Sequence, residues 1–122
     1  MATFTKIPLS FSTNGRGIKI VATGSLGTNV HSTDTSNTTI DEVWLYGANA
    51  NTTAHLVTLE FGANTVPDDT IKVSITAQAG LQLLIPGLIL TGINSTAART
   101  MTAYANSANI VELFGYVNRI TP

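Results

Sequence analysis

Apolar and polar side chains alternate at a period of two in short stretches along the whole chain, and no stretch carries the 3.6-residue period of an amphipathic helix. In Ile71–Ile75 the side chains of Ile71, Val73 and Ile75 share one face and those of Lys72 and Ser74 the other. In Ala54–Phe61, Val57, Leu59 and Phe61 are set against a mostly polar group, His55, Leu56, Thr58 and Glu60, so this strand too is expected to be half exposed. The same reading predicts strands at Phe4–Leu9, Gly17–Thr23, Val30–Thr33, Glu42–Tyr46, Leu81–Ile85, Leu88–Leu90, Thr100–Ala105 and Ile110–Arg119, rich in the β-branched residues that suit a pleated surface. Turn chemistry separates them. Asn14-Gly15 asks for positive φ, Pro67-Asp68-Asp69 presets a second turn, and the stretches STDTSNTT (32–39) and GANANTT (47–53) are small and polar. Short strands at this spacing predict an all-β, antiparallel sandwich or barrel of about 8–10 strands. A length of 122 residues suits one domain, 1–122, because two would each be too small to build a core.

The polarity of the chain is neutral: 11% of its residues are charged, against about 25% in a typical soluble domain, while 20 Thr, 10 Asn and 8 Ser supply the polar positions. Six basic and seven acidic residues leave a net charge of −1, so no phosphate-neutralising surface is expected, and nucleic acid is not an expected partner. Cysteine is absent, which removes disulfides and thiolate metal sites and suits assembly in a reducing cytoplasm. The opening MATFTKIPLS lacks the apolar core of a secretory signal, so it is expected to be retained. The most apolar stretch, Leu81–Ile93, is interrupted by Pro86-Gly87 and falls short of the roughly 20 residues that cross a bilayer, so no membrane segment is expected. A mean hydropathy of +0.24 with so few charges points to a subunit whose faces are covered by other subunits.

Two regions depart from alternation. From Gly80 to Gly92 the chain reads GLQLLIPGLILTG, with Leu83, Leu84 and Ile85 consecutive and Leu88, Ile89 and Leu90 consecutive. In Val111–Val117, Val111, Leu113 and Val117 lie on one face and Glu112, Phe114 and Tyr116 on the other. A strand in a two-layer domain normally has one wet face, so apolar residues on both call for a second cover. A sister subunit is the simplest one, with Leu84, Leu88, Leu90, Phe114 and Tyr116 as contact residues; loops of the same chain, or sandwich corners at Leu84 and Leu88, are the alternative.

Reactive constellations are scarce. His31 and His55 show no HxH or HxxxH spacing and read as surface polar residues. Asp68 and Asp69 lack the DxDxDG context of a calcium loop and read as a turn, and Asp41-Glu42 reads as a solvated edge, with Glu42 and Trp44 on one strand face. No GxGxxG, P-loop or GxSxG motif occurs, so an enzyme, a cofactor and a metal are not expected. Arg16, between two glycines, reads as an exposed hairpin tip able to touch a neighbouring subunit. Trp44 and Tyr46, at i and i+2, share a face and serve either as core or interface anchors or as a sugar-stacking platform.

Four stretches, FTKIPLSFSTNGRGIKI, VPDDTIKVSI, GLQLLIPGLIL and ELFGYVNRITP, carry a resemblance to small virion structural proteins of tailed bacteriophages, particularly of marine phages. The resemblance runs over nearly the whole chain and lies in strand and turn pattern. It implies a jelly-roll-like β-sandwich, a frequent role in capsid decoration (cement), binding as homotrimers to the major capsid protein on the outside of the head, and no catalytic residues. Phe4–Leu9 and Arg16 are the capsid-facing candidates. Other expectations that remain open are a head–tail joining or tail component and a carbohydrate-binding β-sandwich module.

Overall fold

The alternating segments form nine strands and no helix: β1 (Thr3–Pro8), β2 (Ile18–Lys19), β3 (Thr28–Ser32), β4 (Ile40–Asn49), β5 (His55–Phe61), β6 (Thr70–Ile75), β7 (Gln82–Thr91), β8 (Thr100–Ala105) and β9 (Val111–Thr121). These come from a computed structural model that describes all residues from Met1 to Pro122. One sheet runs β1-β9-β4-β7, with the short β2 pairing with β9 past the end of β1; the other runs β3-β8-β5-β6, and every pairing is antiparallel. The pairs β1/β9, β3/β8, β4/β7 and β5/β6 nest inside one another, as they do when one long hairpin is wound across two sheets. That is the strand order of a jelly roll, and the expected antiparallel β-sandwich is the fold.

The core lies between the sheets and is built from inward positions of both. Val43 and Leu45 of β4, Val111, Leu113 and Val117 of β9, and Ile85 of β7 meet Val30, Val57, Leu59, Ile75, Met101, Ala103 and Ala105 of the second sheet. Each large aliphatic side chain removed from water contributes about 1.5–3 kcal/mol, and with no disulfide this burial is the main source of cohesion. The expected turns form. Asn14 and Gly15 take φ of 54° and 84°, and Asp69 N–H donates to the Thr65 carbonyl at 2.8 Å.

Several expectations are corrected. Leu81–Ile85 and Leu88–Leu90 are one edge strand, β7, because an edge strand tolerates Pro86, whose nitrogen has no hydrogen to donate to a ladder. Its register against β4 slips twice: Tyr46 and Leu45 face Leu83 and Ile85, and Trp44 and Val43 face Pro86 and Leu88, so Leu84 and Gly87 are the extra residues of two bulges. Gly17–Thr23 shortens to Ile18–Lys19, although Ile20 N–H still donates to the Val111 carbonyl at 2.9 Å. β5 is not half exposed: Thr58 and Glu60 are buried, and His55, which shares parity with Val57, is buried too. Asp41-Glu42 is not a solvated edge, because β4 is an inner strand and Asp41 is fully buried.

Candidate interaction face

The two outer faces of the sandwich differ in chemistry. Strand parity that turns Val43, Leu45, Leu113 and Val117 inward turns Trp44, Tyr46, Phe114 and Tyr116 outward, and the register sets Trp44 opposite Tyr116 and Tyr46 opposite Phe114. Four aromatic side chains thus form one block on the first sheet. Phe4 and Pro8 of β1 flank it on one side, and Leu83, Pro86 and Ile89 of β7 on the other; Phe4, Leu83 and Ile89 are 72%, 47% and 59% exposed. Outward positions of the second sheet carry Thr100, Thr102 and Tyr104 of β8, Leu56, Thr58 and Glu60 of β5, and Lys72 and Ser74 of β6, a mostly polar set.

Polar contacts hold the aromatic block in place. Trp44 and Tyr116 stack with centroids 6.3 Å apart and planes 13° from parallel, and the Lys6 ammonium lies 4.7 Å from the centre of the Tyr116 ring. Trp44 Nε1 donates to Glu42 Oε1 at 2.6 Å, and Asn118 Nδ2 donates to the same oxygen at 3.0 Å. The indole hydrogen bond, aided by Asn118, holds the Glu42 carboxyl below the usual glutamate range. Glu42 and Trp44 share a face as expected. Trp44 takes Tyr116 as its ring partner, and Tyr46 lies across from Phe114.

Two buried polar clusters lie outside this face. Asp41 accepts from Arg119 Nε at 2.8 Å and Nη2 at 2.9 Å, and its Oδ2 lies 2.7 Å from His31 Nε2. Burial pushes the Asp41 carboxyl up, but the hydrogen bonds from Arg119 and His31, with the guanidinium charge, outweigh it and hold it below the usual aspartate range. Ser10 Oγ stands 2.9 Å from His31 Nδ1, giving a chain of Ser10, His31 and Asp41 in the order of a hydrolytic relay. The same wiring also fastens backbone segments together. Ser10 N–H points at Nδ1 at 3.1 Å, so Nε2 carries the proton that goes to Asp41, and Ser10 Oγ exchanges two further bonds with the backbone of Ser32. His31 is fully buried and lines neither surface depression, so this network ties the segment after β1 to β3, β4 and β9. His55, the other histidine, is buried between Asn51 Nδ2 at 3.0 Å and Asn106 Oδ1 at 2.9 Å, so neither histidine has the surface role expected of it, and they do not pair.

The proposed contact residues divide between inside and outside. Leu90 is only 8% exposed, on the inward side opposite Asp41, and Leu84 packs against the core as a bulge residue, so both side chains face the interior of the sandwich. Leu88 stays 43% exposed on the β7 edge, and Phe114 and Tyr116 are half-buried in the aromatic block. Arg16 is exposed and lines a shallow depression of about 550 Å3 with Thr13, Gly17, Lys19, Glu112 and Phe114. Parity in β9 is enough to find Phe114 and Tyr116, whereas Leu83 and Ile89 emerge only once the two bulges fix which leucines turn out. No known protein family, curated protein or solved structure matches the chain.

Proposed function

We propose that this chain is a virion structural protein of the capsid decoration type, which seats the apolar face of its first sheet on the major capsid protein and reinforces the shell. The observation that carries this reading is the gathering of Trp44, Tyr46, Phe114 and Tyr116 with the exposed Phe4, Leu83 and Ile89 on the outer face of β1-β9-β4-β7. A monomer with nothing to cover has no use for Phe4, Leu83 and Ile89 in water on one side. Burying each such side chain is worth about 1.5–3 kcal/mol, and a symmetric shell repeats that gain at every site. The resemblance of FTKIPLSFSTNGRGIKI, VPDDTIKVSI, GLQLLIPGLIL and ELFGYVNRITP to tailed-phage virion proteins, together with the jelly-roll order, supports the same role, as a homotrimer on the head exterior.

The test is addition of the purified protein to phage heads that lack it, followed by sedimentation and imaging. The expected result is many copies spread over the head, with occupancy at least tenfold lower for Leu83→Ser combined with Ile89→Ser, both exposed positions on an edge strand. A few copies at one vertex would instead place the protein at the head–tail junction. Absence from heads, with glycan binding that disappears on Trp44→Ala, would replace the proposal with a carbohydrate-binding module.

A further inference from the structure

The depression beside β2 holds two cations with no ion-pair partner. Thr13, Arg16, Gly17, Lys19, Glu112 and Phe114 line it, and every ion pair in the chain belongs to Asp41. Gly17 keeps its floor open: a Cβ there would lie 2.6 Å from Glu112 Oε2 and 2.7 Å from Phe114 Cζ. With the Glu112 carboxylate set against Arg16 and Lys19, the site keeps one net positive charge, beside the Phe114 ring. Its complement is an acidic group next to an apolar one.

The β5–β6 loop carries that combination. Val66 is 66% exposed, Pro67 and Asp68 are exposed beside it, and the tip is fixed by Asp69, whose Oδ2 accepts from Thr65 N–H at 3.1 Å. Asp68 makes no hydrogen bond or ion pair by its side chain, unlike Asp69. The two features cannot meet within one molecule. Glu112 lies at the start of β9, near Asn49, whereas the 62–69 loop follows Phe61 opposite Met101, at the other end of the sandwich. We propose that copies of this chain bind head to tail, the Val66–Asp69 tip of one seated in the Arg16–Lys19 depression of the next, with Asp68 between the cations and Val66 on Phe114. Such a contact joins different patches on each copy, so it closes a ring when the rotation between copies allows. It serves the assembly role proposed above, and rests on that reading for its setting, but uses residues other than Leu83 and Ile89.

The experiment measures the mass of the full chain by sedimentation equilibrium at about 100 μM in low salt, where exposed charges are least screened. The wild type is expected to form oligomers. Asp68→Lys, and separately Arg16→Asp with Lys19→Asp, should each weaken association at least tenfold, and the three substitutions in one chain should restore it, because the reversed charges again attract. All three positions are exposed, and each variant should melt with the wild type. If one does not, Asp68→Asn or Arg16→Gln with Lys19→Gln replaces it, with weakening expected again. A monomeric wild type, a reversal without effect, or no restoration in the combined chain overturns the contact. A chain that is monomeric yet still loads onto heads refutes this contact alone, and oligomers that fail to load refute only the capsid role.

Discussion

Glu60 stands on an outward position of β5 and is nevertheless removed from water, because the chain ahead of β3 folds over it. Its carboxylate accepts from Ser25 Oγ at 2.6 Å, Gly27 N–H at 2.8 Å and Thr102 Oγ1 at 2.6 Å. Burial raises its pKa, but these three donors outweigh that cost and hold it below the usual glutamate value of 4.5. A depressed carboxylate contributes stability that is fully present above its unfolded pKa and is lost as pH falls through the lower folded value. Glu60→Gln puts an amide among three donors and can satisfy them only through its oxygen. It should cost about 1–3 kcal/mol at pH 7, and the gap from the wild type should narrow as pH falls below about 4. Urea titrations of both proteins at pH 7 and pH 3 measure this; a gap that stays constant with pH would show that the carboxylate charge is irrelevant. Asp41, by Arg119 and His31, and Glu42, by Trp44 and Asn118, are depressed in the same direction, so the wild type has three carboxylates whose protonation favours unfolding. Neither role can be read from the sequence, since Asp41 meets its arginine 78 residues away and Glu60 meets Ser25 at a distance of 35.

At the scale of strands, β4 and β9 make the longest pairing, and Gly115 decides how closely they approach. A Cβ on Gly115 would fall inside the contact radius of the Trp44 carbonyl oxygen, between two strands that cannot part without disturbing Trp44, Tyr116 and the core residue Leu45. Gly115→Ala is therefore expected to destabilise by about 1–3 kcal/mol, as overpacking does, and to loosen the stack of Trp44 on Tyr116. Denaturant midpoints and Trp44 fluorescence read the two effects together. β9 was legible as a strand because its parity is unbroken from Val111 to Val117, and so were the outward Phe114 and Tyr116. β7 was legible only as two apolar runs. Its bulges at Leu84 and Gly87 shift the inside–outside alternation, so the consecutive leucines that suggested a strand greasy on both faces are partly Leu84 and Leu90 turned inward. The exposed remainder, Leu83, Leu88 and Ile89, still gives that edge an apolar surface.

The whole molecule separates its charges by task. Of 13 acidic and basic residues, Asp41 and Arg119 pair within the fold and Glu60 is buried under hydroxyl and amide donors, while Arg16, Lys19 and Asp68 stand in water without ion-pair partners. Folding therefore draws on apolar burial and on one ion pair whose carboxylate is buried, and such interactions respond little to added salt. A contact between copies made from the exposed charges responds strongly. Raising sodium chloride from about 50 to about 500 mM, where the screening length falls from over 10 Å to about 4 Å, should leave unfolding free energy within about 0.5 kcal/mol, a Tm change of roughly 2–3 °C. The self-association constant should fall at least tenfold over the same range. Thermal melts at a concentration low enough to keep the chain monomeric, set beside sedimentation at high concentration, separate the two responses. Parallel loss of fold and association would place the exposed charges within the folding energetics, whereas association that strengthens with salt would mean that copies meet through the apolar sheet face and not through their charged ends.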